Sequence, residues 1–527
     1  MAGPVSAAPM AIGLAPHLMA APVLLPLLAG ALLAAVGGYS RTLSRGIGMV
    51  ASVAHVLICV LLYMQIQGDV IHVYQMGNWP APFGIVIVLD RLSALIVLLT
   101  STLGLIGLLY ANSAWSNEGR RFQALWQFQM MGLCGAFLTG DLFNLFVFFE
   151  VLLAASYALL LHGGGAQRVG STFHFVVILV AVASVLLLTV FLIKAGLVPF
   201  HFWVPASFGS AAAPVVALIV AKVGAYSILR VYPLIFGDEI APAGSAVASL
   251  SAMAQPWLFA LSILTLLVGS IGALASRTLR QLAATLTLVS IGTLFVPVAV
   301  GAQESLAAAS YYLVHSTIAT ATLFLIAEWV GTHRGELGDR LEPGPAIAHP
   351  LLIGGALLWA LITSVGLPPT SGFIGKVLVL DSIANAKGAS VMWIAVLVSS
   401  FFALIAVSRA LSLLLWNNTG KPASVVEMAP AGLRGMNPPQ EYLMAPIQKR
   451  DGHALGALLA TVLVFALSIG LVVQAGPVLR QTAQLATQLK NRDAYIGAVL
   501  HDAKPLGDLV RPSPVNRVAP ATEGVVK

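Results

Sequence analysis

From Phe175 to Leu192 the chain is apolar with no turn chemistry, and it runs directly into Ile193-Lys194-Ala195-Gly196-Leu197-Val198-Pro199-Phe200-His201-Phe202-Trp203. A lysine therefore sits within or at the edge of a long hydrophobic helix. Gly196 and Pro199 interrupt that helix, because proline has no N–H to donate and crowds the preceding turn. A second stretch has the same grammar: Ser364-Val365-Gly366-Leu367-Pro368-Pro369, followed by Gly372-Phe373-Ile374-Gly375-Lys376. Two Gly/Pro-broken apolar segments, one in each half and each with a lysine, restrict the chain to a membrane bundle with repeated halves, a layout used by transporters.

The bulk numbers agree. Of 527 residues 58% are hydrophobic and only 9% charged, with a mean hydropathy of +0.92, where soluble domains carry about 25% charged residues. The formal charge of +7 does not point to nucleic acid, since the basic residues fall mostly in short loops, as membrane topology requires. Cys59 and Cys134 lie in apolar runs and offer neither a disulfide framework nor a metal-binding spacing. The first basic residue is Arg41, so no cleavable signal peptide is expected.

A span needs roughly 20 apolar residues. The chain predicts spans near 18–37, 46–66, 85–110, 122–139, 142–161, 172–203 (broken), 211–235, 257–276, 281–301, 305–331, 351–385 (broken), 391–416 and 453–476. All are expected to be helices, because lipid offers the backbone no outside partner. The expected architecture is an all-α, polytopic bundle of about 13–14 transmembrane helices. Asp69 to Pro82 and Asn417 to Asp451 read as polar loops, and the tail from Arg480 to Leu500 as amphipathic, then disordered. Arg41, Arg45, Arg120, Arg121 and Arg168 place their loops on the cytoplasmic side and the N-terminus outside. One conflict stands: the Arg168 loop and the Arg277/Arg280 loop both belong on the cytoplasmic side, yet three crossings separate them, and 172–203 is too long for one span and too short for two.

Among the ionisable groups inside the predicted spans, Glu150 and Lys222 lie near mid-span and Lys194 and Lys376 beside the two breaks. Each costs about 2.5–3.5 kcal/mol near the bilayer centre; four unpaired would cost on the order of 10 kcal/mol, comparable to the stability of a whole domain. One carboxylate and three amines fit a connected polar path along which protons move, with a Glu150–Lys194 pair as its adjustable element. His174, His201 and His315 can extend it, since imidazole titrates near neutral pH. Blander roles compete. Glu150 and Lys222 could serve packing alone, Lys194 and Lys376 could snorkel from the breaks to an interface, and His315 suits either role. His174 and His201 read as helix-end hydrogen-bond donors, and Glu328 beside Trp329 as interfacial. The Gly163-Gly164-Gly165 run reads as a turn with nothing around it to cradle a phosphate.

Asp141-Leu142-Phe143-Asn144-Leu145-Phe146-Val147-Phe148-Phe149-Glu150, Lys194 to Trp203, Ala221-Lys222-Val223-Gly224-Ala225-Tyr226 and Gly366 to Lys376 resemble the antiporter-like membrane subunits. That group comprises proton-pumping subunits of NADH–quinone oxidoreductase and the large subunits of Mrp-type (Mnh/Pha) monovalent cation/proton antiporters. The resemblance runs from about Asp90 to Trp416. Lys376, Phe148-Phe149-Glu150-Val151-Leu152-Leu153-Ala154-Ala155-Ser156-Tyr157 and Asp493 to Leu500 are most similar to the D-type branch of the Mrp antiporter subunits.

The resemblance implies two inverted five-helix repeats around a hydrated mid-membrane axis. Glu150, Lys194, Lys222, His315 and Lys376 match its proton-relay positions, and Gly196, Pro199, Gly366, Pro368 and Pro369 its helix breaks. The implied organisation is N-terminal helices over 1–110, a first repeat over 111–235, a second over 257–416, a polar loop over 417–451, a last span over 452–476 and a tail over 477–527. Two departures from the family pattern stand out. Ser171 to Trp203 is short for the two helices and loop found there in relatives. Trp203-Val204-Pro205 is followed by Ala206 and Ser207 where many relatives carry an acidic residue.

The function this implies is proton translocation within a multisubunit Na+ or K+/H+ antiporter of a bacterial inner membrane. The partners are other membrane subunits and lipid; no cofactor, metal or nucleic acid is expected. The alternative is a proton-pumping subunit of a redox complex, which would use the same relay. A lipid-modifying enzyme would need a carboxylate or metal cluster in an interfacial loop, and the loops offer no such spacing.

Overall fold

In the computed structural model, residues 17–36, 40–66, 70–76, 84–114, 121–160, 187–210, 214–236, 246–334, 337–344, 350–416 and 455–500 are described. The part of 172–203 before Leu187, and with it the crossing at issue in the topology count, lies outside them. So do His174, the Gly163–Gly165 run, the 417–451 loop and the tail beyond Leu500.

The protein is a helical membrane bundle. Helices α1 (Ala21–Val36), α2 (Arg41–Gln65), α3 (Arg91–Ala114), α4 (Phe122–Leu138) and α5 (Leu142–Leu160) lead to the first broken segment, α6 (Leu187–Ala195) and α7 (Trp203–Ser210). Then come α8 (Pro214–Phe236), α9 (Ala246–Ala275), α10 (Leu279–Val300) and α11 (Gln303–His333). The second broken segment is α12 (Gly355–Val365) and α13 (Ser371–Ser382), followed by α14 (Ala389–Leu411). Helices α15 (Leu455–Val473), α16 (Ala475–Lys490) and α17 (Arg492–Leu500) close the chain. Among the described residues seven helices are long and apolar enough to cross a membrane; α15 and α16 form a further candidate bent by 79°.

The predicted all-helical reading needs one correction. The expected span at 85–110 begins only at Arg91, because Val86–Leu89 is a strand paired antiparallel with His72–Gln75. An apolar, β-branched run of four cannot be distinguished from a helix start by periodicity alone. Here Asp90 ends it: its backbone N–H donates to Ser93 Oγ at 2.8 Å, and its side chain accepts from the Ser93 N–H at 2.9 Å, a reciprocal cap that starts α3.

At the centre stands α11, whose residues from Ala308 to Glu328 are all buried. Helices α8, α10, α12, α13 and α16 pack around it. Outward faces of α2 and α14 carry exposed leucine, valine, isoleucine and phenylalanine, as lipid-facing helices do.

Candidate functional site

The two predicted breaks share one backbone design. Helix α6 ends at Ala195 with Gly196 at φ +76°, and α12 ends at Val365 with Gly366 at φ +84°, a left-handed conformation open to glycine. In each, the next residue donates five back, Leu197 to Leu192 O at 3.1 Å and Leu367 to Ile362 O at 3.0 Å. That is the hydrogen bond of a Schellman helix stop. Each then turns again three residues on, with Phe200 N–H on Leu197 O at 2.8 Å and Thr370 N–H on Leu367 O at 3.0 Å. Pro199 and Pro369 hold the same place, after cis bonds Val198–Pro199 and Pro368–Pro369. Loose backbone groups find partners: the Trp203 indole donates to Ile193 O at 2.9 Å, and the Val198 N–H to Thr265 Oγ1 at 3.0 Å.

The three lysines are buried, so none snorkels to an interface: Lys194 is 2% exposed, Lys222 5% and Lys376 7%. Lys222 Nζ donates to Ser316 Oγ at 2.8 Å and to Ser290 Oγ at 3.1 Å. Lys376 Nζ donates to Ser400 Oγ at 2.6 Å and to Val365 O at 2.6 Å, a carbonyl at the end of the broken α12. His315, next to Ser316, shares a 3.0 Å hydrogen bond through Nδ1 with Ser371, the first residue of α13. The charges of both Lys222 and Lys376 act on His315. Beside it is a cavity of about 10 Å³ lined by Ser290, His315, Ser316, Thr320 and Ser364 among others. That is about the room one water needs. Lys222, His315 and Lys376 are thus brought together around α11.

The first part of the predicted axis is looser. Lys194 Nζ makes no hydrogen bond and lies 3.9 Å from the centre of the Phe149 ring, a cation–π placement. The neighbouring Glu150 is exposed on α5. Its charge reaches Lys194 and Tyr157, but the expected direct Glu150–Lys194 pair is not formed. The reason is local: Phe149, not Glu150, points at the amine. His201 is half-buried beside the break. Glu328 is buried 3.6 Å from Arg280, which also binds Asp339 at 3.1 Å.

Sequence reasoning missed one further charged group. Arg230 and Asp90 form a buried bidentate ion pair, with the Tyr495 ring 5.3 Å from the guanidinium. Lys222, Tyr226 and Arg230 follow one another at four-residue spacing along α8, and the Tyr226 hydroxyl donates to Phe137 O at 2.6 Å. That spacing was the available signal. Among the described residues no three His, Cys, Asp or Glu side chains gather as metal ligands.

Broken helices flanking a core of buried lysines define a multi-pass membrane subunit of the antiporter-like class. The family described as NADH:quinone oxidoreductase/Mrp antiporter, transmembrane, matches residues 170–403. The D subunit of a probable K(+)/H(+) antiporter from Rhizobium meliloti is 37% identical over 71% of this chain and 80% of its own length. The D subunit of a Na(+)/H(+) antiporter from Alkalihalophilus pseudofirmus is 28% identical over 92% of this chain and 100% of its own length. Among solved structures, a chain of the Mrp complex from Dietzia sp. shares the fold with a TM-score of 0.77 and 22% identity, covering 93% of this chain and all of that one. A chain of respiratory complex I from Thermus thermophilus does so at 0.64 and 24%, over 89% and 99%. The chain belongs to the Mrp antiporter/NADH:quinone oxidoreductase family of membrane subunits, in its D-type branch.

Proposed function

We propose that this chain is the proton-translocating subunit of a hetero-oligomeric antiporter that exchanges Na+ or K+ for protons, with a relay through Glu150, Lys194, Lys222, His315 and Lys376. The antiporter reading is preferred over a redox-complex subunit because the sequence relatives at 37% and 28% identity are both antiporter subunits.

The observation that supports the relay is the grouping of three buried contacts around α11: Lys222 on Ser316, the adjacent His315 on Ser371, and Lys376 on the broken end of α12. An amine in this setting can lose its proton without losing its place. Ser290 and Ser316 direct their own hydroxyl protons to Thr287 O and Leu313 O, and so turn lone pairs toward the ammonium. Rotating one hydroxyl then supplies a donor to the neutral amine. The broken helices put movable backbone beside these groups. Glu150, exposed on a membrane helix among the exposed Leu142, Phe146 and Val147, suits a face covered by a partner subunit, since a bare carboxylate there is costly. It is the point at which a proton passes between subunits. The shared break geometry favours two related halves, 111–235 and 257–416, and the basic loops favour a cell membrane with the N-terminus outside.

The test is Glu150→Ala in the assembled complex. Cation/proton exchange is expected to be abolished while the complex still assembles; normal exchange by a correctly assembled variant would sink the relay as drawn.

A further inference from the structure

Helices α1 and α2 are filled on one side and open on the other. Inward, Gly30 of α1 lies against the Phe128 ring and Gly48 of α2 against Gln123, both on α4, and a Cβ at either glycine would collide. Gly46, two residues earlier, has no such neighbour: a Cβ there would meet nothing within 4 Å. Glycine inside a helix weakens it, and no packing within this chain requires one at 46. Gly46 instead lines a groove of about 900 Å³ between α1 and α2. Exposed Leu28, Leu32, Leu43 and Val50 wall it, over buried Ala29 and Ala51.

The groove is polar at one end, where Ser40 and Thr42 line it at the start of α2. Ser40 Oγ accepts from the Leu43 N–H at 3.3 Å, and the first N–H groups of a helix have no acceptor within it. Arg41 stands between those two residues, Arg45 comes just before Gly46, and Arg121 precedes α4 at the same end. Among the described residues α1 to α4 hold no acid. The groove is also short. From Ser40 to Ala54, where it ends on α2, is about 20 Å at the helical rise, half of a bilayer of roughly 40 Å with its headgroups. Helix α2 itself runs on to Gln65. A partner helix would use the full height, whereas a lipid occupies one leaflet.

We propose that this groove holds one anionic phospholipid, its acyl chains against the leucines and its phosphate at the start of α2 beside Arg41 and Arg45. A helix N-terminus favours an anion, and basic pockets between membrane helices on the cytoplasmic side take anionic headgroups, the side proposed above for this end. The inference goes beyond the exchange reaction and needs only that the chain spans a membrane.

The experiment places the whole complex in phosphatidylcholine vesicles with a trace of phosphatidylglycerol bearing a photoreactive acyl chain, and maps the peptides labelled on illumination. Labelling is expected on α1 and the first half of α2, and phosphatidylcholine bearing the same chain is expected to label them far less. Arg41→Gln combined with Arg45→Gln should cut the phosphatidylglycerol labelling about twentyfold, from the loss of two basic groups at the membrane surface. Gly46→Leu fills the groove, keeps both arginines and should abolish it. Absent labelling, or equal labelling by the two lipids, overturns the site. Undiminished labelling in Gly46→Leu does so too, since lipid would then gather at a charged rim without entering the groove. Loss of a partner subunit from the Gly46→Leu complex would put a protein helix there and overturn it as well. Should a variant fail to fold, the comparison of the two lipids on the wild-type complex decides.

Discussion

Lys222 and Lys376 meet the same difficulty, a charge in a low-dielectric interior, with hydroxyl and carbonyl oxygens rather than carboxylates. An amine solvated by dipoles stays easier to discharge than one locked in an ion pair, because no counter-charge opposes loss of the proton. Asp90 and Arg230 show the opposite design. Burial pushes the Asp90 carboxyl up, but the Arg230 guanidinium and the Ser93 hydrogen bonds outweigh it and hold it below the usual carboxylate range. A carboxyl whose folded value is depressed contributes stability above its unfolded value and loses it as pH falls through the folded one. The protein is therefore expected to lose part of its stability on acidification below the usual carboxylate range. Asp90→Asn should remove that part at neutral pH, by about 3–5 kcal/mol, since it leaves a buried guanidinium unpaired. Thermal unfolding of the purified protein against pH reads both; an Asp90→Asn variant as stable as wild type would contradict the assignment of an anchor.

At the scale of elements, the breaks matter because other helices are built to touch them. Gly224 is two residues past Lys222, and a Cβ there would collide with the backbone of Lys194 and Ala195. Helix α8 thus presses its bare backbone on the end of α6 and fixes the height of Lys222 relative to Lys194. Gly224→Ala should push α8 away and slow exchange strongly while Lys222 remains in place chemically; exchange assays on the assembled variant check this, and wild-type rates would refute it. The breaks were legible in sequence because Gly196, Pro199, Gly366, Pro368 and Pro369 are local signals with local causes. The buried lysines were legible because charge in an apolar run has few explanations. The hairpin was not: Val86 to Leu89 joins an apolar run, and only pairing with His72 to Gln75 makes it a strand. The Asp90–Arg230 pair joins residues 140 apart, a separation no local pattern encodes, and the glutamines of α4 look unremarkable until Gly48 admits them.

At the scale of the whole molecule, the chain's end ties its beginning to its middle. Helix α16 packs along α11, while Gln488 accepts from the Arg91 N–H at 3.0 Å and Thr487 accepts from Gln303 at 2.7 Å. Tyr495 and Val499 of α17 join Ile71, Val86 and Val88 of the hairpin in one small core. The bundle is braced at the rim around an interior that holds Lys222 and Lys376 on serine hydroxyls and a helix-end carbonyl. The most direct measurement of that interior is cation-driven proton release by the whole complex carrying Lys222→Met, in everted vesicles, with assembly checked separately. Methionine fills the space of lysine without a titratable proton. Loss of exchange at wild-type assembly is the predicted result, and exchange at the wild-type rate would contradict a relay through Lys222.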